Sequence, residues 1–377
     1  MKIGILTLPL HTNYGGILQA WALQTVLEKQ CHDVVILNKD RHLSFNYKSV
    51  IKFPIRLVRR IMGKTNYLLV EKHFNREIDI KEQYTSKFIK KYINSLYYKE
   101  FSEIDFDKFD AVIVGSDQVW SPIHGGNFCG SVINAYLPYT KGLQIKRISY
   151  AASFGKDIWE YSKRETKEAK KWIKLFDSVS VREKSGIKLI RKYLDTNAIN
   201  VIDPTLLLNS EDYIENLNIN LVDKSSGNLL VYIIDNSEYK EKIVDIVKTS
   251  LKLNPFYVNS RAEDVNSKQF EAKDKIQPPV EKWLRGFYDA EYIVTDSFHA
   301  CVFSILFKKK FIAIGNKERG MARFIDLLES LGLENRLVPN EGPFSIDLNQ
   351  KIDYDSVYVR LNELRKSSLN FLIESLK

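Results

Sequence analysis

The sequence predicts two doubly wound α/β domains, each built on a parallel sheet, and three observations lead to this prediction. The chain has 377 residues, which is too long for one ordinary hydrophobic core and enough for two. Short apolar stretches of strand length alternate with amphipathic stretches of helix length, the pattern of parallel sheets covered by helices on both faces. This alternation stops at a turn around residues 197–208 and then starts again.

The first half of the chain contains five predicted strands, and the first and third are apolar runs of the kind expected of strands buried on both faces. The five strands lie at residues 2–8, 34–37, 109–114, 147–152 and 177–181. Apolar residues at helical spacing predict helices between and after them. These helices lie at residues 15–30, 51–62, 67–80, 163–176 and 183–193. Pro54 is expected in or near the first turn of its helix, where a missing N–H does no harm.

The second half repeats the pattern. Strands are predicted at residues 228–234, 255–258, 292–295 and 310–314, and helices at residues 239–251, 280–288, 298–307 and 319–331. A long amphipathic helix is predicted at residues 354–376. We therefore expect one domain at residues 1–200, with a basic helical insert at about 44–100, and a second at residues 201–350. Residues 351–377 would pack as a helix across both.

Composition excludes several classes of protein. No apolar run approaches the roughly 18 residues of a membrane span, and the N-terminal run is too short for a signal peptide. The three cysteines are widely separated and show neither metal-ligand spacing nor a disulfide pattern, which indicates a reducing compartment. We expect a cytoplasmic protein with no metal site, because its acids and histidines show no ligand cluster either.

The net charge of +9 is confined to one segment. Residues 39–100 hold 15 Lys and Arg against 6 Asp and Glu, and the rest of the chain is balanced at 41 of each. A local excess predicts a local anionic partner and argues against nucleic-acid binding.

Five polar loops follow predicted strands, at residues 9–16, 115–120, 152–155, 295–299 and 315–320. In open parallel sheets, ligands bind outside the carboxyl ends of the strands. We therefore expect the active cleft to lie between the loop at residues 13–16 and the loop at residues 295–299.

The loop Asn13-Tyr14-Gly15-Gly16 joins the first strand to the first helix. Paired glycines let a ligand approach the backbone, and a helix N-terminus presents N–H groups to an anion. The alternative is a tight turn that binds nothing.

Asp117 and Trp120 follow the most apolar strand. A carboxylate accepts hydrogen bonds from sugar hydroxyls and an indole covers the apolar face of a sugar ring. The alternative is an acid that caps the next helix and a tryptophan in the core. Arg182 lies at another strand end, and its guanidinium suits a carboxylate or phosphate; the alternative is a surface ion pair with Glu183 or Glu160.

Asp296 and His299 begin a helix of the second half. Asp296 is well placed as an N-cap, and a histidine beside a bound anion can act as a general acid near neutral pH. A structural histidine is the alternative. The following loop, with Asn316, Arg319 and Arg323, suits a phosphate group or is a solvated charged loop.

Six stretches in order together resemble the polysaccharide pyruvyl transferase family. They are N-Y-G-G-I-L-Q-A from Asn13, V-G-S-D-Q-V-W from Val114, Y-A-A-S-F-G from Tyr150, S-V-R-E-K-S-G from Ser180, V-I-D-P-T from Val201 and T-D-S-F-H-A from Thr295. The resemblance covers residues 1 to about 335 and leaves out the basic insert and the last helix.

The resemblance implies two Rossmann-like domains in a GT-B-like arrangement. It also implies transfer of the enolpyruvyl unit of phosphoenolpyruvate to a sugar of a surface-polysaccharide precursor, forming a pyruvate ketal and releasing phosphate. No cofactor is implied, since phosphoenolpyruvate is the donor substrate. The family histidine corresponds to His299 and the family arginine to Arg182. Some members have an arginine where this chain has Ser297, and Arg319 or Arg323 would replace it.

The site expected from the motifs has a donor side and an acceptor side. His299 would be the general acid, Arg182 an anion-binding group and Asp117 a base or a hydroxyl-orienting group. Phosphoenolpyruvate would contact Arg182, Ser297, His299, Asn316, Arg319 and Arg323. The acceptor sugar would contact Asn13, Tyr14, Gly15, Gly16, Gln19, Ser116, Asp117, Gln118 and Trp120.

Two questions remain open from the sequence, the role of the basic insert and the class of the protein. The basic insert could meet an anionic membrane and a lipid-diphosphate-linked glycan there, through apolar residues interleaved with Arg56, Arg59 and Arg60. It could instead be a lid or a dimer helix. The chain could also be a glycosyltransferase that uses a nucleotide sugar, with Glu318 as its ribose-binding candidate, or a non-catalytic glycan-binding protein.

Overall fold

A computed structural model describes residues 1–45, 47–62, 67–260, 272–315, 320–343 and 346–377. It contains two wholly parallel sheets, as predicted, of seven strands and five strands. The first has the order β3-β2-β1-β4-β5-β6-β7 and the second the order β12-β11-β10-β8-β9. The strands are β1 Lys2–Leu6, β2 Asp33–Lys39, β3 Ser95–Tyr98, β4 Ala111–Val114, β5 Lys146–Ala152, β6 Ser178–Val181, β7 Ile199–Asn200, β8 Leu229–Tyr232, β9 Pro255–Phe256, β10 Tyr292–Thr295, β11 Lys310–Ile314 and β12 Leu337–Val338.

Helices cover both sheets. They are α1 Tyr14–Glu28, α2 Tyr47–Ile61, α3 Val70–Lys81, α4 Thr85–Tyr92, α5 His124–Cys129, α6 Lys163–Trp172, α7 Lys184–Leu189, α8 Ser210–Asn216, α9 Glu238–Leu251, α10 Val280–Asp289, α11 Phe298–Leu306, α12 Ala322–Leu331 and α13 Tyr354–Leu376. Because helices lie on both faces, the central strands β4, β8 and β10 are buried along their whole length.

The last helix contacts both halves of the molecule. The ring of Phe371 lies 6.4 Å from that of Tyr150 in β5, and the Tyr358 hydroxyl donates to the Leu306 carbonyl at 2.8 Å. The division of the chain at residues 200 and 350 stays a prediction. No helix in the described ranges is long and apolar enough to cross a membrane.

The structure corrects the predicted basic insert in two ways. The insert was expected at residues 44–100, but β3 within it pairs with β2 and forms an edge of the first sheet. The strand was missed because it has only four residues, and α4 was missed because lysines interrupt its apolar pattern. Pro54 lies inside α2 and not in its first turn, since the helix begins at Tyr47, before the apolar periodicity becomes visible.

Candidate active site

The loops that follow β1 and β10 meet between the two sheets. Gly15 lies so close to His299 that a Cβ atom at position 15 would be 2.0 Å from the histidine Nδ1. Beside it, the Tyr14 hydroxyl donates to the Pro278 carbonyl at 2.7 Å, and its ring stacks on Trp283 at 5.3 Å. Asn13 caps α1 by accepting from the Gly16 N–H at 3.2 Å. The two segments predicted to line the cleft, residues 13–16 and 295–299, are therefore in contact, and glycine at position 15 makes that contact possible.

His299 lies in the first turn of α11, whose N-cap is Ser297. The Ser297 hydroxyl accepts from the Ala300 N–H at 3.5 Å. The prediction that Asp296 caps this helix is wrong. Its carboxylate instead accepts from the Ile234 N–H at 2.7 Å and from the Lys240 ammonium at 2.7 Å, deep in the second domain. The buried ion pair ties the loop after β10 to α9, and the hydrogen bond from Ile234 ties it to the loop after β8.

Asp203 is the residue that faces the other nitrogen of His299. Its Oδ2 lies 3.6 Å from His299 Nε2, and that nitrogen is buried without a hydrogen bond to any part of the chain that the structure describes. Asp203 Oδ1 accepts from the N–H of Thr205 at 3.0 Å and from its hydroxyl at 2.7 Å, which orients the carboxylate. Asp203 was not among the predicted site residues. Its only signal was its place at a strand-end turn in V-I-D-P-T.

Arg182 joins Asp203 to the loop after β4. Its Nη1 donates to Asp203 at 2.7 Å and its Nη2 to Asp117 at 3.2 Å, and the guanidinium lies 4.8 Å from the centre of the Phe298 ring. All these groups are buried. Arg182 is therefore not a surface residue, which excludes the alternative of a surface ion pair. The structure also shows both terminal nitrogens of Arg182 bound to carboxylates of the chain itself.

Charge pairing determines the ionisation of the two carboxylates. Burial alone would raise the pKa of Asp203, but the adjacent imidazole of His299 and the guanidinium of Arg182 hold that pKa well below its usual range. Burial likewise opposes ionisation of Asp117, and the charge of Arg182, followed by those of His299 and Arg323, lowers its pKa nonetheless. Both acids are therefore ionised at neutral pH.

Arg323, in the first turn of α12, brings a second buried guanidinium to the site. It lies 5.5 Å from the centre of the Phe298 ring and 4.0 Å from Asp117 Oδ1. With the Gln118 amide oxygen turned towards it, Arg323 donates to that oxygen from Nη1 at 3.1 Å and Nη2 at 3.2 Å. Burial, together with the like charge of Arg182, lowers the pKa of Arg323 to about 10. Asn316 and Arg319, also predicted here, lie outside the described residues.

Glu183 completes the cluster from the start of α7. Its carboxylate accepts from the Ser153 hydroxyl and lies 3.6 Å from Arg182 Nε. Burial raises the pKa of Glu183, although the charge of Arg182 opposes that rise. A second contact between the domains lies nearby, since a Cβ atom on Gly320 would be 1.9 Å from the Gly155 carbonyl oxygen.

Several residues predicted to touch the acceptor sugar are buried in the protein. Trp120 is completely buried, and its ring stacks on Tyr136 at 5.1 Å. Gln19 is also buried and donates to Thr7 at 2.9 Å, while its oxygen accepts from the Ser116 N–H at 3.1 Å. Tyr14 is buried against the second domain. Their contact with the acceptor sugar stays a prediction, and sequence spacing could not show that these side chains face the core.

The structure brings a residue of the predicted acceptor side close to residues of the predicted donor side. Asp117, expected on the acceptor side, is hydrogen-bonded to Arg182 and lies in one buried group with Asp203, His299 and Arg323. Two other residues predicted on the acceptor side are accessible to solvent: Asn13 is exposed and Gln118 is partly exposed.

Fold and site together define a two-domain α/β protein with a polar, titratable centre where the strand-end loops of its two sheets meet. The family model for polysaccharide pyruvyl transferase matches residues 13–318, and the chain belongs to this family of transferases. The resemblance inferred from the six motifs is thereby confirmed.

Comparison with solved structures gives only distant similarities. The UDP-N-acetylglucosamine 2-epimerase from Rickettsia bellii is 12% identical over 100% of this chain and 97% of its own, with a TM-score of 0.46. The UDP-GlcNAc 2-epimerase from Neisseria meningitidis bound to UDP-GlcNAc is 10% identical over 100% and 99%, with a TM-score of 0.47. No curated protein matches the chain significantly.

Proposed function

We propose that this protein transfers the enolpyruvyl unit of phosphoenolpyruvate to two hydroxyls of a sugar in a surface-polysaccharide precursor, forming a pyruvate ketal and releasing phosphate. The observation that carries the proposal is the environment of His299. One imidazole nitrogen, Nε2, lies 3.6 Å from the Asp203 carboxylate, and the other, Nδ1, lies against Gly15 at the meeting point of the two domains. A carboxylate that faces an imidazole stabilises its protonated form, and the proposal assigns proton exchange with the substrate to this imidazole.

In the proposed reaction, His299 as imidazolium donates a proton to the methylene carbon of phosphoenolpyruvate. The adjacent carbon becomes oxocarbenium-like and takes up the first sugar hydroxyl, whose proton returns to the imidazole. The second hydroxyl then adds as the bond from that carbon to the phosphate oxygen breaks, and its proton leaves with the phosphate. One hydroxyl proton therefore ends in the new methyl group and the other on phosphate.

Asp203 and Arg182 are positioning residues in this scheme. Asp203 stabilises the imidazolium by its charge, and Arg182 and Thr205 fix the carboxylate by direct hydrogen bonds. Because both terminal nitrogens of Arg182 are bound to carboxylates, its predicted role as the donor's anion-binding fork is secondary here. Asp117, with a lowered pKa, is a weak base at neutral pH, which favours hydroxyl orientation over proton abstraction.

Arg323 is the candidate for binding the donor's phosphate or carboxylate. Burial and the charge of Arg182 disfavour its protonated form, as its lowered pKa indicates. A bound anion would stabilise that positive charge. The hydrogen-bond partner of Arg323, Gln118, is neutral, and Asp117 Oδ1 lies 4.0 Å from Arg323 Nη1. Ser297, at the N-terminus of α11, would contact the same anion through the helix end.

The test is to incubate the protein with phosphoenolpyruvate and a panel of lipid-diphosphate-linked sugars, measuring phosphate release and ketal formation by mass spectrometry. We expect the two products in equal amounts, and their loss in His299→Ala. His32→Ala, a change at a histidine outside the site, is the matched control. Phosphate without ketal, or consumption of a nucleotide sugar in place of phosphoenolpyruvate, would contradict the proposal. Near wild-type transfer by His299→Ala would show that His299 is not the general acid.

A further inference from the structure

Helix α2 lies on the molecule with its apolar side facing outward. Ile51, Ile55, Val58 and Ile61 follow each other at spacings of three and four residues and form one stripe, continued by Met62. Ile51 is 66% exposed, Ile61 79% and Met62 58%. A surface helix ordinarily turns its apolar stripe to the core, and a contiguous exposed stripe indicates an interaction surface.

The polar side of α2 holds the helix in this orientation. Arg56 makes two hydrogen bonds with Glu71 of α3, at 2.7 Å and 2.8 Å, and Glu71 is buried. A bidentate pair of this kind fixes direction as well as distance. The outward stripe is therefore a consequence of how α2 is anchored on α3.

Positive charge lies on the sides of α2 next to the apolar stripe. Lys52 is exposed one turn before Ile55, and Arg60 is exposed on the side of the helix that carries Arg56. On that side is a surface pocket of about 540 Å³ to which Arg60, Lys72 and Arg76 all contribute. Residues 39–100 carry the entire excess charge of the chain, +9.

We propose that α2 docks this protein on an anionic phospholipid surface, with the apolar stripe immersed at the boundary of headgroups and acyl chains. The stripe supplies apolar area, and the flanking cations pair with the phosphate groups, which is the combination that interfacial helices require. Charge separates this occupant from a second copy of the chain, because a symmetric contact through α2 would bring two positive segments together. The inference stands apart from the transfer reaction.

The experiment is co-sedimentation of the full chain with vesicles, without any sugar or phosphoenolpyruvate. Vesicles of phosphatidylcholine alone are compared with vesicles that also contain phosphatidylglycerol. We expect binding to the anionic vesicles that declines as salt is added, and little binding to the neutral ones. Absence of binding to anionic vesicles would overturn the proposal.

Two variants and two matched controls locate the surface. Ile55→Gln with Val58→Gln removes part of the stripe, and Lys52→Glu with Arg60→Glu reverses the flanking charge. Each pair should lower vesicle affinity by about tenfold or more. The controls alter exposed residues elsewhere: Leu221→Gln with Val359→Gln for apolar area, and Lys163→Glu with Lys167→Glu for charge.

Equal binding by the α2 variants and the wild type would overturn the assignment to this helix. Sedimentation velocity tests whether the stripe instead contacts a second copy of the chain. A wild-type dimer that the stripe variant converts to monomer, with no vesicle binding by either, would show that the stripe meets a second copy. Because all four substituted positions are solvent-exposed, unchanged thermal unfolding is expected and confirms that the variants fold.

Discussion

Gly15 of the first domain and His299 of the second are in direct contact, so the backbone at the start of α1 limits where the imidazole at the start of α11 can lie. A Cβ atom at position 15 would be 2.0 Å from Nδ1 and 2.8 Å from the histidine's own Cβ. No side chain fits in that space without displacing the imidazole. The proposed proton donor is therefore positioned by a glycine from the opposite domain.

Gly15→Ala is expected to reduce ketal formation by about 100-fold, because displacing a reacting group by about 1 Å has an effect of that size. The measurement is kcat with phosphoenolpyruvate and a lipid-linked acceptor. Gly126→Ala is the matched control, since its Cβ would meet nothing closer than 3.9 Å. Full activity in Gly15→Ala would show that the imidazole position does not matter to the reaction.

Asp203→Asn is expected to lower kcat by about 100-fold or more with little change in the KM for phosphoenolpyruvate. The amide keeps the shape of the carboxylate but removes the charge that lies 3.6 Å from His299 Nε2. Steady-state kinetics separates the two parameters. The exposed Asp105→Asn serves as control. A rise in KM at constant kcat would instead give Asp203 a role in binding the donor.

Trp120→Ala is expected to lower the free energy of unfolding by about 3–5 kcal/mol, the usual effect of removing a large buried ring. Trp120 packs against Tyr136 and Phe154 and donates its indole N–H to the Ala135 carbonyl. Urea denaturation measures the change, and Trp120→Phe should retain much of the stability. A stable Trp120→Ala protein with a weakened affinity for the acceptor would support the predicted contact between Trp120 and the sugar.

His11 should make the protein sensitive to acid. Burial, together with the charge of Arg41, lowers the pKa of His11 from 6.5 to about 3 in the folded state. The unfolded chain therefore binds a proton that the folded chain does not between these values, so stability is full above pH 6.5 and falls as pH decreases towards 3. The loss for one group is up to about 1.4 kcal/mol per pH unit.

His11→Gln should flatten this dependence, measured as the free energy of unfolding at pH 7, 6 and 5. A control is His73→Gln, a change at a partly exposed histidine of α3. An unchanged slope in His11→Gln would assign the acid sensitivity to other groups.

Much of the fold could be predicted from local pattern. Strands such as Tyr292–Thr295 and Lys310–Ile314 have the predicted bounds, because an unbroken apolar run between polar loops has few other solutions in a parallel sheet. The loops after β1 and β10 could likewise be expected to face a common cleft, since strand ends of this kind bind ligands.

Side-chain partners within those loops depended on tertiary structure. Asp296 is adjacent to the start of α11 and has the chemistry of a cap, yet Lys240 and the loop after β8 take its carboxylate, and Ser297 becomes the cap. Trp120 and Tyr14 looked accessible at strand ends, but packing against Tyr136 and Trp283 buries them.

By itself, then, the sequence determined the two parallel-sheet domains and the family, and it predicted Arg182 and His299 as site residues, because periodicity and motif order are carried by neighbouring residues. Only the tertiary structure decided that Asp203 lies between those two side chains and that Gly15 confines the imidazole. It also decided that α2 turns its apolar stripe outward, since an amphipathic pattern defines a face but not its direction. Contacts between distant segments follow from packing, which no local pattern contains.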